Sequence, residues 1–392
     1  MHTNLLKPTW HNLSKTNKRD MNVKHQIKNH VKNISGWRTN RKLVLFSVDD
    51  YGNVRLDSKK AFNNLKKAEI PFTSRFDCFD TLETREDLES LYGVLSSVKD
   101  QHGNPAIFTP YALPCNIDFE AMASNDYKEY MYELLPETYK KVSLRDPKAY
   151  NGTWELWQEG IKKGLMKPQF HGREHFNLHT FTNFLTKRSE NLLRVLKQHS
   201  NVSIPEHDNK NWTAAYSFGD IKETENYLAN VRDGLKCFKE VYGYEAKVFT
   251  PPAQQFPLHL ESELSNLGLA YLDRPRSLNR HLGNGKYQLE KHKLGGGIQT
   301  NEIVRNVVFE PTHERGFDWV NYSYKQVEAA FRMKKPANIS SHRVNFCGHI
   351  DPKNREIGLT ALKELLQKIV KYWPDVEFIC AEQLGNMITN NS

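Results

Sequence analysis

From about residue 41 to the end of the chain, short apolar runs alternate with amphipathic stretches of helical period, and this alternation most constrains the fold. The apolar runs fall at residues 42–48, 105–110, 167–170, 246–250, 269–273, 304–309, 337–341 and 376–380, with a further extended stretch expected at 71–77. Between them lie helical patterns, the clearest carrying Leu359, Leu362, Leu365, Leu366 and Ile369 on one face. Single helices are expected at 181–198 and 221–241, and a hairpin around residues 295–297. Strands separated by crossover helices pair in parallel, so the pattern predicts an α/β protein whose sheet is open or closed into a barrel. A length of 392 residues suits such a barrel with insertions, and 38% apolar residues suffice for a large core.

Two segments depart from the rhythm. Residues 1–40 are polar and basic and read as an N-terminal extension, with the barrel occupying 41–392. Residues 115–165 are rich in Tyr and Trp, including Trp154 and Trp157, and read as a helical, aromatic insertion over one end of the core. The net charge is +9, but Lys and Arg are interspersed with Asp and Glu, which disfavours a nucleic-acid partner. No window approaches a membrane span. The N-terminus lacks an apolar signal-like core, so a cytoplasmic protein is expected. The five cysteines are scattered without a CxxC pair, which fits reduced thiols and argues against a cysteine zinc site.

Candidate chemistry sits where strands end, the face at which ligands bind in parallel α/β sheets and barrels. The first strand ends in Asp49-Asp50, two adjacent carboxylates that call for a cation, with a divalent metal the obvious one. The stretch at 167–170 runs into His171-Gly172-Arg173-Glu174-His175. Later strands end in Thr250-Pro251-Pro252, Asp273-Arg274 and His342-Arg343. Two His four apart on a helical turn point the same way, and with one carboxylate they make three metal ligands with a position left for water. A second carboxylate then serves as base and a further His as acid. Among 16 His, roughly 0.6 such spacings arise by chance, so placement at strand ends carries more weight than the spacing.

With Asp49-Asp50, His171-x-x-x-His175 and His342 in these places, the chain resembles the polysaccharide deacetylase superfamily, the NodB homology domain of carbohydrate esterase family 4. The resemblance spans about residues 41–390 and looks like a divergent branch. It implies a distorted (β/α)7-type barrel and metal-assisted removal of an N- or O-acetyl group from a carbohydrate. Asp49 would be the catalytic base and His342 the general acid. Asp50, His171 and His175 would hold a divalent metal, commonly zinc. The family's third motif carries an Arg before a Pro, whereas here the matching strand end has Pro252 and Gln254 and no Arg. Pro252, Gln254, Asp273, Arg274 and Arg343 are the expected substrate-side residues, with Asp273 the best-placed match to the family's fourth motif. Two other readings stand beside this one. His171-Gly172-Arg173-Glu174-His175 also matches the H-x-x-E-H pattern of inverted zinc peptidases, which needs a continuous helix through both His. A non-catalytic glycan- or nucleic-acid-binding protein on an inherited barrel is the other.

Overall fold

The computed structural model describes residues 27–72, 74–204, 212–297 and 300–390. Nine strand segments form one parallel sheet: β1 (Lys42–Tyr51), β2 (Phe108–Ala112), β3 (Gln169–Phe170), β4 (Val248–Phe249), β5 (Tyr271–Pro275), β6 (Asn301–Arg305), β7 (Val307–Val308), β8 (Ala337–His342) and β9 (Val376–Phe378). Their order is β6-β5-β4-β3-β2-β1-β8-β7, with β9 beside the start of β1. Closure comes from one stretch of chain. β6 pairs with β5, Asn306 interrupts, and β7 pairs with β8, so consecutive segments bridge both edges of the sheet. Counting β6 and β7 as one stave, the ring is a distorted (β/α)7 barrel, as expected.

The alternation of β1 explains how the barrel is filled. Val44, Phe46 and Val48 point outward into the larger core beneath the helices, with Phe108, Ile339 and Leu362. Leu43 and Leu45 point inward and meet Ile303, Leu384 and Ile388, the last two from the C-terminal helix Ala381–Asn390 that closes one end of the barrel. Farther along the same face stand Ser47 and Asp49, so the interior passes from apolar to polar towards the C-terminal ends of the strands.

Several local expectations are corrected. Where a strand is expected at 71–77, Ser74 caps the short helix Arg75–Phe79, its hydroxyl accepting from the Asp77 N–H. The helix expected at 181–198 is two, Leu178–Thr186 and Glu190–Leu196, split by Arg188 at φ 54° and restarted by the Ser189 cap. The one expected at 221–241 is a 3-10 turn, Ile221–Thr224, followed by the helix Tyr227–Tyr242. The hairpin lies before the 295–297 glycines and pairs Ser277–His281 with Tyr287–Lys291. Its connection contains Gly283, Asn284 and Gly285, all left-handed, where glycine and asparagine are tolerated best.

Residues 115–165 hold a hairpin, Cys115–Ile117 with Tyr132–Leu134, and several helices. Their aromatics pack rather than face a ligand: Trp157 is fully buried and donates to the Tyr139 hydroxyl, and Trp154 stacks on Tyr139. Of the basic extension, residues 1–26 lie outside the described residues, and the remainder rests on the barrel. The Trp37 N–H donates to the Leu294 carbonyl at 2.7 Å, and Asn33 accepts from the Asn306 side chain. Among the described residues, no helix is long and apolar enough to cross a membrane.

Candidate active site

The two adjacent carboxylates reach one cleft because the strand breaks its alternation between them. In a regular strand Asp49 and Asp50 would point to opposite faces. Asp50 instead has φ 77°, and the β1–β2 register shifts between Val48 and Tyr51. A left-handed, non-glycine residue costs of order 1 kcal/mol or more, and such strain gathers at functional sites. It brings the Asp50 carboxylate to the barrel mouth beside Asp49, and both line a cleft of about 350 Å3 together with His171, His175 and His342.

Asp50, His171 and His175 form a buried triad whose ligand atoms all lie within 4.8 Å of one another. Asp50 Oδ1 is 2.7 Å from His175 Nε2 and 3.4 Å from His171 Nε2. The two His are not on a helix. Residues 171–177 form an irregular loop with Gly172 at φ 114°, a conformation few other residues adopt, and the following helix starts at Leu178. His171 Nδ1 lies 2.6 Å from the Thr250 carbonyl, which can only accept. The proton therefore sits on Nδ1, and the Nε2 lone pair faces Asp50. Burial presses His175 towards its neutral form, and its Nδ1 has no hydrogen-bond partner. Burial also opposes the charge of Asp50, yet its neighbours, His175 first among them, outweigh it and hold the carboxyl well below its ordinary range. A carboxylate and a lone-pair-bearing imidazole nitrogen facing one another at 3.4 Å is a donor set that a cation reconciles. These residues fit a divalent metal.

The other side of the cleft is set by ion pairs. Arg305 grips Asp49 bidentately, Nη1 to Oδ2 and Nη2 to Oδ1, each at 2.7 Å. Its Nε donates to Asp273 Oδ1 at 3.2 Å. Asp273 also accepts from the Ser47 hydroxyl, the Tyr111 hydroxyl and the Asn338 amide, so the base candidate stands on a polar network filling the barrel's upper interior. His342 lies opposite Asp49 in the β1–β8 register, with Nε2 3.8 Å from Asp49 Oδ2. Its Nδ1–H donates to Glu310 Oε1 at 2.6 Å. Burial opposes a charge on this imidazole, but the Glu310 carboxylate prevails and lifts His342 to about 9. Glu310 is in turn held by Arg75 and by the Asn345 amide.

Of the expected substrate-side residues, only Gln254 lines the cleft, where its Oε1 is buried without a hydrogen-bond partner. Asp273 is fully enclosed beneath Arg305 and supports the site instead of facing a ligand. Pro252 is buried behind Gly172. Arg274 is turned away, towards Glu261 and Glu302. Arg343 is committed to Asp80 and Glu83, fully buried, because the 3-10 turn Arg343–Phe346 redirects the chain straight after His342. Gln255 is likewise tied to the Asn279 carbonyl and the His281 N–H.

Two site residues escaped the sequence reading. Arg305, from β6, grips Asp49, and Glu310 accepts from His342 Nδ1. Both carried a signal: Arg305 is a charge inside the apolar run Ile303-Val304-Arg305-Asn306-Val307, and Glu310 ends that run.

The peptidase reading does not fit this geometry. Glu174, its required base, is buried away from the cleft and held by Arg173, the Tyr130 hydroxyl at 3.0 Å and the Asn230 amide at 2.8 Å. The continuous helix that the motif needs is absent from residues 171–177.

No family model matches the chain, and no curated protein matches it. Among solved structures, it is similar to a protein described as a candidate polysaccharide deacetylase from Mycobacterium smegmatis, with a TM-score of 0.46 and 12% identity over 91% of this chain and 93% of that one. It is also similar to a probable polysaccharide deacetylase from Pseudomonas aeruginosa (TM-score 0.41, 11% identity, 88% and 91% covered). An allantoinase is a third such structure (TM-score 0.41, 11% identity, 89% and 91% covered). At these scores the superpositions are loose, and the functional reading rests on the cleft's own residues.

Proposed function

We propose that the protein is a metal-dependent hydrolase that removes an N- or O-acetyl group from a carbohydrate. The observation that supports this reading is the convergence of Asp49, Asp50, His171, His175 and His342 in one cleft; their roles are those the sequence resemblance implies. Asp50, His171 and His175 would hold a divalent ion, with zinc the best match to two imidazoles and a carboxylate. Such an ion supplies Lewis acidity towards an acyl oxygen and makes a water acidic.

The chain's own groups complete the chemistry. Arg305 fixes both oxygens of Asp49, leaving their outward lone pairs to accept a proton from the attacking water. Glu310 holds His342 protonated with Nε2 aimed into the cleft, so Nε2–H can protonate the departing amine or alkoxide. Water adds to the carbonyl carbon, the C–N or C–O bond breaks, and acetate leaves with the free sugar amine or hydroxyl. Five unpaired thiols fit a reducing compartment, and we place the protein in the cytoplasm.

The test is Asp49→Asn assayed on acetylated sugars and acetyl esters. The expected result is a fall in kcat of about 10²–10⁴-fold with metal content unchanged. Full activity in Asp49→Asn would remove the assigned base. Salt-sensitive glycan binding that survives both chelation and Asp49→Asn would instead favour the non-catalytic reading.

A further inference from the structure

Among the described residues, Arg55 is the one arginine or lysine lining the cleft that the proposed acid–base machinery does not employ. It is 5% exposed, and its backbone carbonyl accepts from the Asn201 N–H. Its guanidinium lies over the Phe76 ring, 5.4 Å from the centroid, and that ring meets His342 edge-on at 5.1 Å. Arg55 thus belongs to the same wall as the acid candidate.

Arg305 answers Asp49 and Asp273, and Arg75 and His342 answer Glu310. Arg343 takes up Glu83 and one oxygen of Asp80; the other Asp80 oxygen has no hydrogen-bond partner, and Arg55 acts on that carboxylate only at longer range. Among the described residues, no carboxylate lies within ion-pair distance of Arg55, and its guanidinium makes no hydrogen bond. Its nitrogens are not among the sealed, partnerless atoms of the protein, so the donors stay open to the cleft, where an acceptor from a ligand can meet them. Its planar fork suits an oxyanion, and the contact with Phe76, a ring that Arg75 also approaches, consumes no donor. Gln254 also lines the cleft, and both Ala253 and Gln254 are left-handed, at φ 53° and 60°.

We infer that Arg55 binds an oxyanion of the substrate, so that the sugar carries a carboxylate, sulfate or phosphate near its acyl group. Assigning that anion to a substrate rests on the hydrolase reading above, but the anion site itself does not.

The experiment is calorimetric titration of the full chain, freed of metal by chelation and held at constant ionic strength. Glucuronate, sulfate and phosphate are the probes, and glucose is the neutral control. Wild type is expected to bind at least one anion at one site per chain and not glucose. The anion that binds best identifies the group. Arg55→Met is expected to weaken that binding by about tenfold or more, whereas Arg55→Lys, which keeps the charge and loses the fork, falls between. Thermal unfolding of each variant shows that the fold is retained. Anion binding that Arg55→Met leaves unchanged, or no binding in wild type, overturns the proposal. Arg55-dependent binding by a protein that never turns over acetylated substrates keeps the anion site and removes the hydrolase. Turnover without any anion binding does the reverse.

Discussion

The two sides of the cleft are held in different ways. On one side, Asp50, His171 and His175 face each other with little behind them: His171 has the Thr250 carbonyl, and His175 Nδ1 has no partner. On the other side, Asp49 and His342 each lead into a chain of ion pairs, through Arg305 to Asp273 and through Glu310 to Arg75. The acid–base side is organised by the protein alone. The triad is a set of donors converging on a point, and its geometry is completed by what binds there. The strain at Asp50 belongs to this second kind of order, because its left-handed backbone brings a carboxylate to the triad at a cost that binding can offset.

The sharpest way to break this comparison is Arg305→Met. It leaves Asp49 and Asp273 buried without their shared cation, and the expected loss of stability is about 3–5 kcal/mol by denaturant titration. His175→Ala in metal-free protein is expected to cost less, since it removes a side chain with one neighbouring carboxylate and an unpartnered Nδ1. If the order is reversed, the acid–base side is not the self-supporting one.

A smaller effect separates the two sides by pH. His342 is raised above its unfolded value to about 9, so its stabilisation is fully present below about 6.5 and is lost as pH rises through about 9. Its proposed work as an acid would be lost in the same upper range. Glu310→Gln removes the anion that opposes burial, and the alkaline limb of the rate profile is expected to move to lower pH. A limb that stays in place would show that His342 is not the titrating acid, or that Glu310 does not set it.

Much of this was legible in the sequence, for physical reasons that also mark where reading stopped. The parallel α/β sheet followed from apolar runs of strand length separated by helices, because parallel strands demand crossovers, and its closure into a barrel followed from the resemblance. Asp49-Asp50, His171, His175 and His342 were visible as polar residues at strand ends. Pairings set by closure were harder. Arg305 reaches Asp49 across 256 positions only because β6 and β7 join the two edges of the sheet. Position next to a catalytic residue also misled. Arg343 follows His342 but is drawn down to Asp80 and Glu83, and Arg274 follows Asp273 on the alternate face of the same strand. The segment 71–77 read as a strand from its apolar residues, and the Ser74 cap decided otherwise. Arg55 sits in a loop where no periodicity marks it.

The central claim is that the triad holds a metal ion. Elemental analysis of purified wild-type protein beside the His171→Ala/His175→Ala double variant tests it most directly. The account predicts about one divalent ion per wild-type chain and none in the variant. No metal in the wild type, even after incubation with zinc, would contradict it and leave a barrel whose cleft binds without metal-assisted hydrolysis.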